Sequence, residues 1–283
     1  MTDYTDVELE ITDPVALIRL NRPDKLNAFT YHTLAEIRDA VDTAAADPRV
    51  VGIVITGNGR AFSAGLDLAV LAETTQQTGT SAAVATDGLP GIFSYLLEVP
   101  KPVIAAVNGV AAGGGFILAL MSDLRFASAA ASFTTVFLKR GLIAEHGSSW
   151  LLPRLTNVSR ALDLLWMSDR IDAHEAHALG LVDRVLEPDR LLDYARDYVC
   201  RLAETSPPAA IAETKRLVYR HLGSHYREAL EEATVSQNRF VVAPDAVEGA
   251  RAFIEKRPPR FQRLGEANPG DPPTREERSK DGR

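Results

Sequence analysis

Three stretches of the chain carry residues whose types and spacing suit chemistry. The first is Ala61-Phe62-Ser63-Ala64-Gly65-Leu66-Asp67, and the second runs from Ala106-Val107-Asn108-Gly109 to Gly113-Gly114-Gly115. The third, Gly141 to Trp150, contains the pair Glu145-His146. In the first two, small residues follow an apolar strand-like run and lead into a helical pattern. Glycine lets a ligand approach the main chain closely, and the start of a helix leaves N–H groups without intrahelical partners. Two such N–H groups aimed at one point stabilise a developing oxyanion, each by about 2.7–4 kcal/mol in a transition state. The third stretch supplies a carboxylate beside an imidazole, both able to move protons. Each signal has a plainer alternative. A glycine run before a helix is often a turn or packing device, and this one lacks the spacing of a dinucleotide-binding fingerprint. Glu145 equally suits the first turn of a helix at 148–156, and His146 can orient a neighbour or face solvent.

The elements that must position these groups are legible in the periodicity. Residues 7–11 and 15–20 read as a hairpin around Asp13-Pro14, and 31–46 as an amphipathic helix with Leu34, Ile37, Ala40 and Val41 on one face. The β-branched run 50–56 reads as a strand buried on both faces. A glycine-containing loop at 57–68 then enters a short helix. Residues 72–88, rich in Thr, Gln, Ala and Gly, predict a poorly packed surface segment. A helix at 90–98, a strand at 102–107, a turn at Asn108-Gly109 and a loop-to-helix passage at 113–121 follow. Short strands are expected at 123–127 and 132–134. The recurring order of strand, strand and helix predicts an α/β fold of stacked ββα units with parallel pairing. From about residue 149 the pattern is helical almost throughout, at 158–168, 173–179, 189–204, 207–221 and 225–240. The expected organisation is a core at 1–195, a helical C-terminal region at 196–264 and a flexible tail at 265–283, whose Pro, Gly and charge content cannot form a core.

Composition narrows the function classes. The 283 residues are 46% apolar and 24% charged, as in an ordinary soluble globule, and carry a net charge of -7. That charge argues against a general nucleic-acid binder. The single cysteine, Cys200, permits no internal disulfide and reads as inert packing. The N-terminus lacks an apolar signal core and no apolar run is long enough to span a bilayer, so a cytoplasmic location and no membrane partner are expected. His174 and His177 share a helix face without a third ligand, so no metal site is expected. Asp123 and Arg125 read as structural, and Asp67 as a support for its own loop or a cap for the following helix.

The two glycine loops, about 50 positions apart and in this order, resemble the crotonase superfamily, also called the enoyl-CoA hydratase/isomerase family. The resemblance extends over residues 7–262. It includes Leu20-Asn21-Arg22-Pro23 with Leu26-Asn27-Ala28, Ala178-Leu179-Gly180-Leu181-Val182-Asp183, and Glu248-Gly249 with Phe253-Ile254-Glu255-Lys256-Arg257. It implies a crotonase-like spiral of ββα units with a C-terminal helical oligomerisation region, assembled as a homotrimer or a dimer of trimers. It also implies an acyl-CoA substrate, with coenzyme A as part of the thioester and no prosthetic group. By the same resemblance the oxyanion donors are the N–H groups of Leu66 and Gly114. Ala64 lies against the adenine, Lys25 and Leu26 line the coenzyme side, and Phe253 and Lys256 reach the acyl-CoA, often from a neighbouring subunit.

The chain departs from the family's hydratases at both of their usual glutamates, where Ile117 and Phe137 stand. Neither side chain can move a proton. The resemblance to isomerase-type members places an acidic residue later, at Glu145. A single carboxylate can remove a proton from C2 of an enoyl thioester and return one to C4. Phe137, Leu142, Ile143 and Trp150 are expected to enclose Glu145 in apolar surroundings that raise its pKa. The expected activity is double-bond isomerisation. Hydration or thioester hydrolysis through Glu145 and His146, or a CoA-binding protein without chemistry, are the alternatives.

Overall fold

Strands buried on both faces need apolar side chains at every position, and the runs at 50–56 and 102–107 supply them. In the computed structural model, which describes residues 4–67, 70 and 89–265, these runs form the middle of a six-stranded sheet. The segment expected at 72–88 lies outside the described residues, as does the tail beyond residue 265. The sheet contains β1 (Val7–Thr12), β2 (Val15–Leu20), β3 (Gly52–Gly57), β5 (Val103–Val107), β7 (Leu124–Ser128) and β10 (Arg184–Leu186), paired in that order. β1 and β2 are antiparallel, and every later pairing in this sheet is parallel. A second sheet joins β4 (Ala61–Ser63), β6 (Val110–Ala112), β8 (Ser132–Thr134) and β9 (Ile171–Asp172). The pairs β3/β4, β5/β6 and β7/β8 thus each deliver one strand to the large sheet and the next to the small one.

Period-two alternation assigns the two faces of the large sheet. Ile53, Ile55, Val103, Ala105 and Val107 face one core, covered by α1 (Tyr31–Ala46) and α2 (Gly114–Met121). Val54, Ile104, Ala106 and Phe126 face the other, covered by Leu191, Ala195 and Val199 of a long helix, Leu191–Thr205. That helix lies so close that a methyl group on Gly52 would come within 2.9 Å of Val199. α1 begins at Thr30, whose side chain accepts from Thr33 N–H in a capping box.

The remaining helices are α3 (Ser148–Leu155), α4 (Val158–Met167), α5 (Ala173–Ala178), α6 (Leu191–Thr205), α7 (Pro208–His221), α8 (Tyr226–Phe240) and α9 (Pro244–Glu255). The expected division after residue 195 falls inside α6, and Val199 beyond it is as buried as Ala195 before it. α7 is fastened to the core by Asp123, whose carboxylate accepts from Lys215 Nζ at 2.7 Å, Tyr219 Oη at 2.8 Å and Val103 N–H at 2.7 Å. Arg125 is buried and donates to the carbonyls of Ser122 and Leu181, so both residues are structural, as expected. Cys200 packs at the margin of the second core, where burial pushes its thiol pKa up.

Two expectations are corrected. The helix expected at 90–98 is only a 3-10 turn, Ser94–Leu97, because Pro90 lacks an N–H and Gly91 sits at φ +112°. The short strand β4 forms inside the stretch 57–68 that the sequence predicts as loop. After residue 149 the chain is helical almost throughout, as expected, with the short strands β9 and β10 at the edges of the two sheets. Strands of two or three residues show no period of their own and exist through their neighbours.

Candidate active site

The loops after β3 and β5 meet, and side-chain amides fix their turns. Asn27 donates to the carbonyls of Asn58 at 3.0 Å and Ala61 at 2.8 Å, while Asn108 accepts from Gly57 N–H at 3.0 Å and donates to Gly59 O at 3.0 Å. Ser63 Oγ donates to Asn27 O and accepts from Gly65 N–H. Ala64 N–H donates to Leu26 O at 2.9 Å, which brings Ala64 and Leu26 together. Leu26 and Asn27 both adopt positive φ, and Lys25 projects exposed from the preceding 3-10 turn.

The orientation of Leu66 follows from one parallel bridge. Phe29 N–H donates to Gly65 O at 2.7 Å, and Asp67 N–H donates to Phe29 O at 2.9 Å. Residues 65 and 67 therefore turn towards Phe29, and the pleat turns the Leu66 N–H the other way. Arg22 braces this bridge, donating to Ala28 O and pairing with Asp67 at 3.4 Å. Asp67 thus supports its loop, as expected.

Across from Leu66 stands the N-terminus of α2. Gly114 is its first residue, so its N–H has no intrahelical acceptor. The two loops are in contact: a methyl group on Gly65, at φ +88°, would lie 2.6 Å from Ala112 O and 2.8 Å from Gly114 N. A methyl on Gly115 would lie 2.2 Å from Ser63 O. Glycine is required at both positions by this approach. The loop that carries Leu66 thus lies against the start of α2, whose helix dipole places positive potential at Gly114.

Ile117, one turn along α2, is 0% exposed, and Phe137 is 4% exposed. Glu145 and His146 lie between the 3-10 turn Leu138–Arg140 and α3. This loop seats against the end of α2, where a methyl on Gly147 would come within 2.9 Å of Met121 Cε. The cap of α3 is Gly147, with no side-chain cap bond, so the Glu145 carboxylate does not perform the capping role open to it. Among the described residues its one ionisable partner within 4 Å is His146, Nε2 to Oε2 at 3.9 Å. The apolar enclosure expected of Glu145 is incomplete: its side chain keeps 34% exposure and Ile143 faces outward. His146 is held at φ +50°, and burial lowers its pKa while Glu145 opposes the shift.

Phe253 and Lys256 are not brought to these loops within one chain. Phe253 is 86% exposed and Lys256 ends α9, whose polar ties run to its own extension through Arg257–Glu248 and Gln262–Asp245. Among the described residues no group of three or more His, Cys, Asp or Glu could hold a metal, and no helix is long and apolar enough to cross a membrane. A cleft of about 500 Å³, lined by Pro102, Asp123, Ile211, Lys215 and Tyr219, opens where β5 and β7 begin. It is at the opposite strand ends from the paired loops and shares no residue with them. Sequence reasoning assigned no role to Phe29 or Arg22; the available signal was their place within or beside the Leu20–Ala28 motif.

Comparison with known proteins identifies the family. The family model for enoyl-CoA hydratase/isomerase matches residues 10–264. A probable enoyl-CoA hydratase of Rhodobacter capsulatus is 34% identical over 91% of this chain and 98% of its own. The 1,2-epoxyphenylacetyl-CoA isomerase of Escherichia coli is 32% identical over 87% and 94%. A putative enoyl-CoA hydratase from Streptomyces coelicolor A3(2) superposes with a TM-score of 0.85 at 34% identity, covering 94% of this chain and 96% of that one. With two glycine-lined loops after parallel strands, and with likeness over nearly the full length, the chain belongs to the enoyl-CoA hydratase/isomerase family.

Proposed function

We propose that this enzyme isomerises the double bond of an enoyl-CoA, with the thioester oxygen held by the Leu66 and Gly114 N–H groups and Glu145 as the single base. The observation that carries the reading is the pair Ile117 and Phe137, both buried and apolar where the resemblance expects glutamates. Activating water and protonating the α-carbon take two proton-handling groups, whereas a 1,3-proton shift takes one. The Glu145 carboxylate, uncommitted to a helix cap, supplies it. Proton removal from C2 develops charge on the thioester oxygen; the two N–H donors stabilise that dienolate until Glu145 returns the proton at C4. Coenzyme A enters as part of the substrate and no prosthetic group takes part. Ala64, Leu26 and Lys25 border the coenzyme side.

The alternation of strands between the two sheets supports a spiral of ββα turns. The exposed apolar residues of α8 and α9, among them Leu230, Val235, Val247, Phe253 and Ile254, support a C-terminal oligomerisation region in a trimer or paired trimers. In that assembly Phe253 and Lys256 serve a neighbour's site. A cytoplasmic location agrees with the lone cysteine. Hydration is the second reading, favoured by the names of most relatives and by His146 at 3.9 Å from Glu145.

Purified protein given 3-enoyl-CoA and 2-enoyl-CoA separately distinguishes the two. Isomerisation of the first without water addition is expected. Rapid hydration of the second overturns the proposal.

A further inference from the structure

The bridge that orients Leu66 and the wall that flanks Gly114 belong to one residue. Phe29 immediately precedes Thr30, the capped start of α1, so its main chain is anchored to a sixteen-residue helix. Its N–H and C=O bond to Gly65 and Asp67 on either side of Leu66. Its ring, 1% exposed, lies on the other loop: a methyl on Gly114 would be 3.2 Å from Phe29 Cδ2. Phe93 packs edge-on against the ring, with centroids 5.5 Å apart. The ring is therefore held by an aromatic neighbour and fills the space where a side chain at position 114 would stand.

Resting on the proposed use of Leu66 and Gly114 as donors, we infer that Phe29 is the positioning residue that sets the separation of the two oxyanion donors. Its main chain fixes one donor and its ring fixes the other. The main-chain bonds persist with any side chain at 29, so truncation frees the Gly114 side while the Leu66 side stays. An N–H displaced from the carbonyl oxygen polarises it less, and the loss falls on the transition state more than on coenzyme binding.

The test uses the full chain with [1-13C]butyryl-CoA, a saturated thioester that neither isomerises nor hydrates. Infrared difference spectra read the downshift of its labelled carbonyl on binding. Steady-state kinetics and calorimetry with free coenzyme A run in parallel, and circular dichroism checks folding. Phe29→Ala should lose part of the carbonyl downshift and on the order of 10–100-fold in kcat, with KM and coenzyme A affinity nearly unchanged. Phe29→Leu, which restores a bulky wall, should recover most of both. If the alanine variant does not fold, Phe29→Val makes the same measurement with a smaller cavity. A folded variant that keeps the full downshift and kcat overturns the inference, as does one whose loss is confined to KM. If the native protein shows no downshift, the assignment of Leu66 and Gly114 as donors falls instead, and this inference with it.

Discussion

Gly65→Ala separates the geometry of the two loops from their composition. The added methyl would meet Ala112 O at 2.6 Å and Gly114 N at 2.8 Å, where ordinary contact begins at about 3.4 Å. The loops must part by about 0.6–0.8 Å, since neither neighbour is the free end of a flexible side chain. A misplacement near 1 Å costs on the order of 10²-fold in rate, and loss of one oxyanion donor about 10²–10³-fold. The expected kcat is therefore lower by about 10–100-fold, with coenzyme A affinity nearly unchanged. The methyl also forces a left-handed alanine, costing roughly 1–2 kcal/mol, or about 2–8 °C in Tm. Gly141→Ala is the control: φ is +72° and nothing lies within 4 Å of the new methyl. It should lose only the left-handed cost of roughly 1–2 kcal/mol and keep its kcat. Stopped enoyl-CoA turnover assays and calorimetric melting measure both. A folded Gly65→Ala enzyme with native kcat would refute the placement of the donors at this crossing.

Glu145→Gln should lower kcat by on the order of 10²–10⁴-fold, read by following enoyl-CoA conversion, with coenzyme A binding retained; unchanged turnover means that another group is the base. His146 gives a pH signature. Its folded pKa is lowered by burial, so below the ordinary value of 6.5 the unfolded chain binds a proton that the folded chain does not. Stability is then complete above pH 6.5 and falls as pH drops below it, and His146→Gln should flatten that part of a Tm-against-pH curve. Lys215→Met leaves the Asp123 carboxylate without its cation at a largely buried site and should cost about 3–5 kcal/mol in denaturant unfolding. Hydrogen exchange should accelerate first in α7, and unaltered protection there would show that the lysine does not fasten this helix.

Much of this protein is written in local pattern. The hairpin at 7–20, α1 and the two central strands follow from β-branched runs and helical spacing, because each buries its side chains whatever its distant partners are. The glycines at 65 and 113–115 marked where two main-chain loops meet, and Ile117 and Phe137 stand where the family resemblance expects two proton carriers. What tertiary structure alone decided is direction and company. β4, β6, β9 and β10 have two or three residues each and no period; they are strands because a neighbour completes their hydrogen bonds. Ile143 faces solvent although its neighbours are apolar. The Leu66 N–H turns away from Phe29 because Phe29, 37 positions earlier in the chain, occupies the carbonyl and N–H on either side of it. Composition and spacing pointed to the two loops, but pairing between distant segments set their orientation.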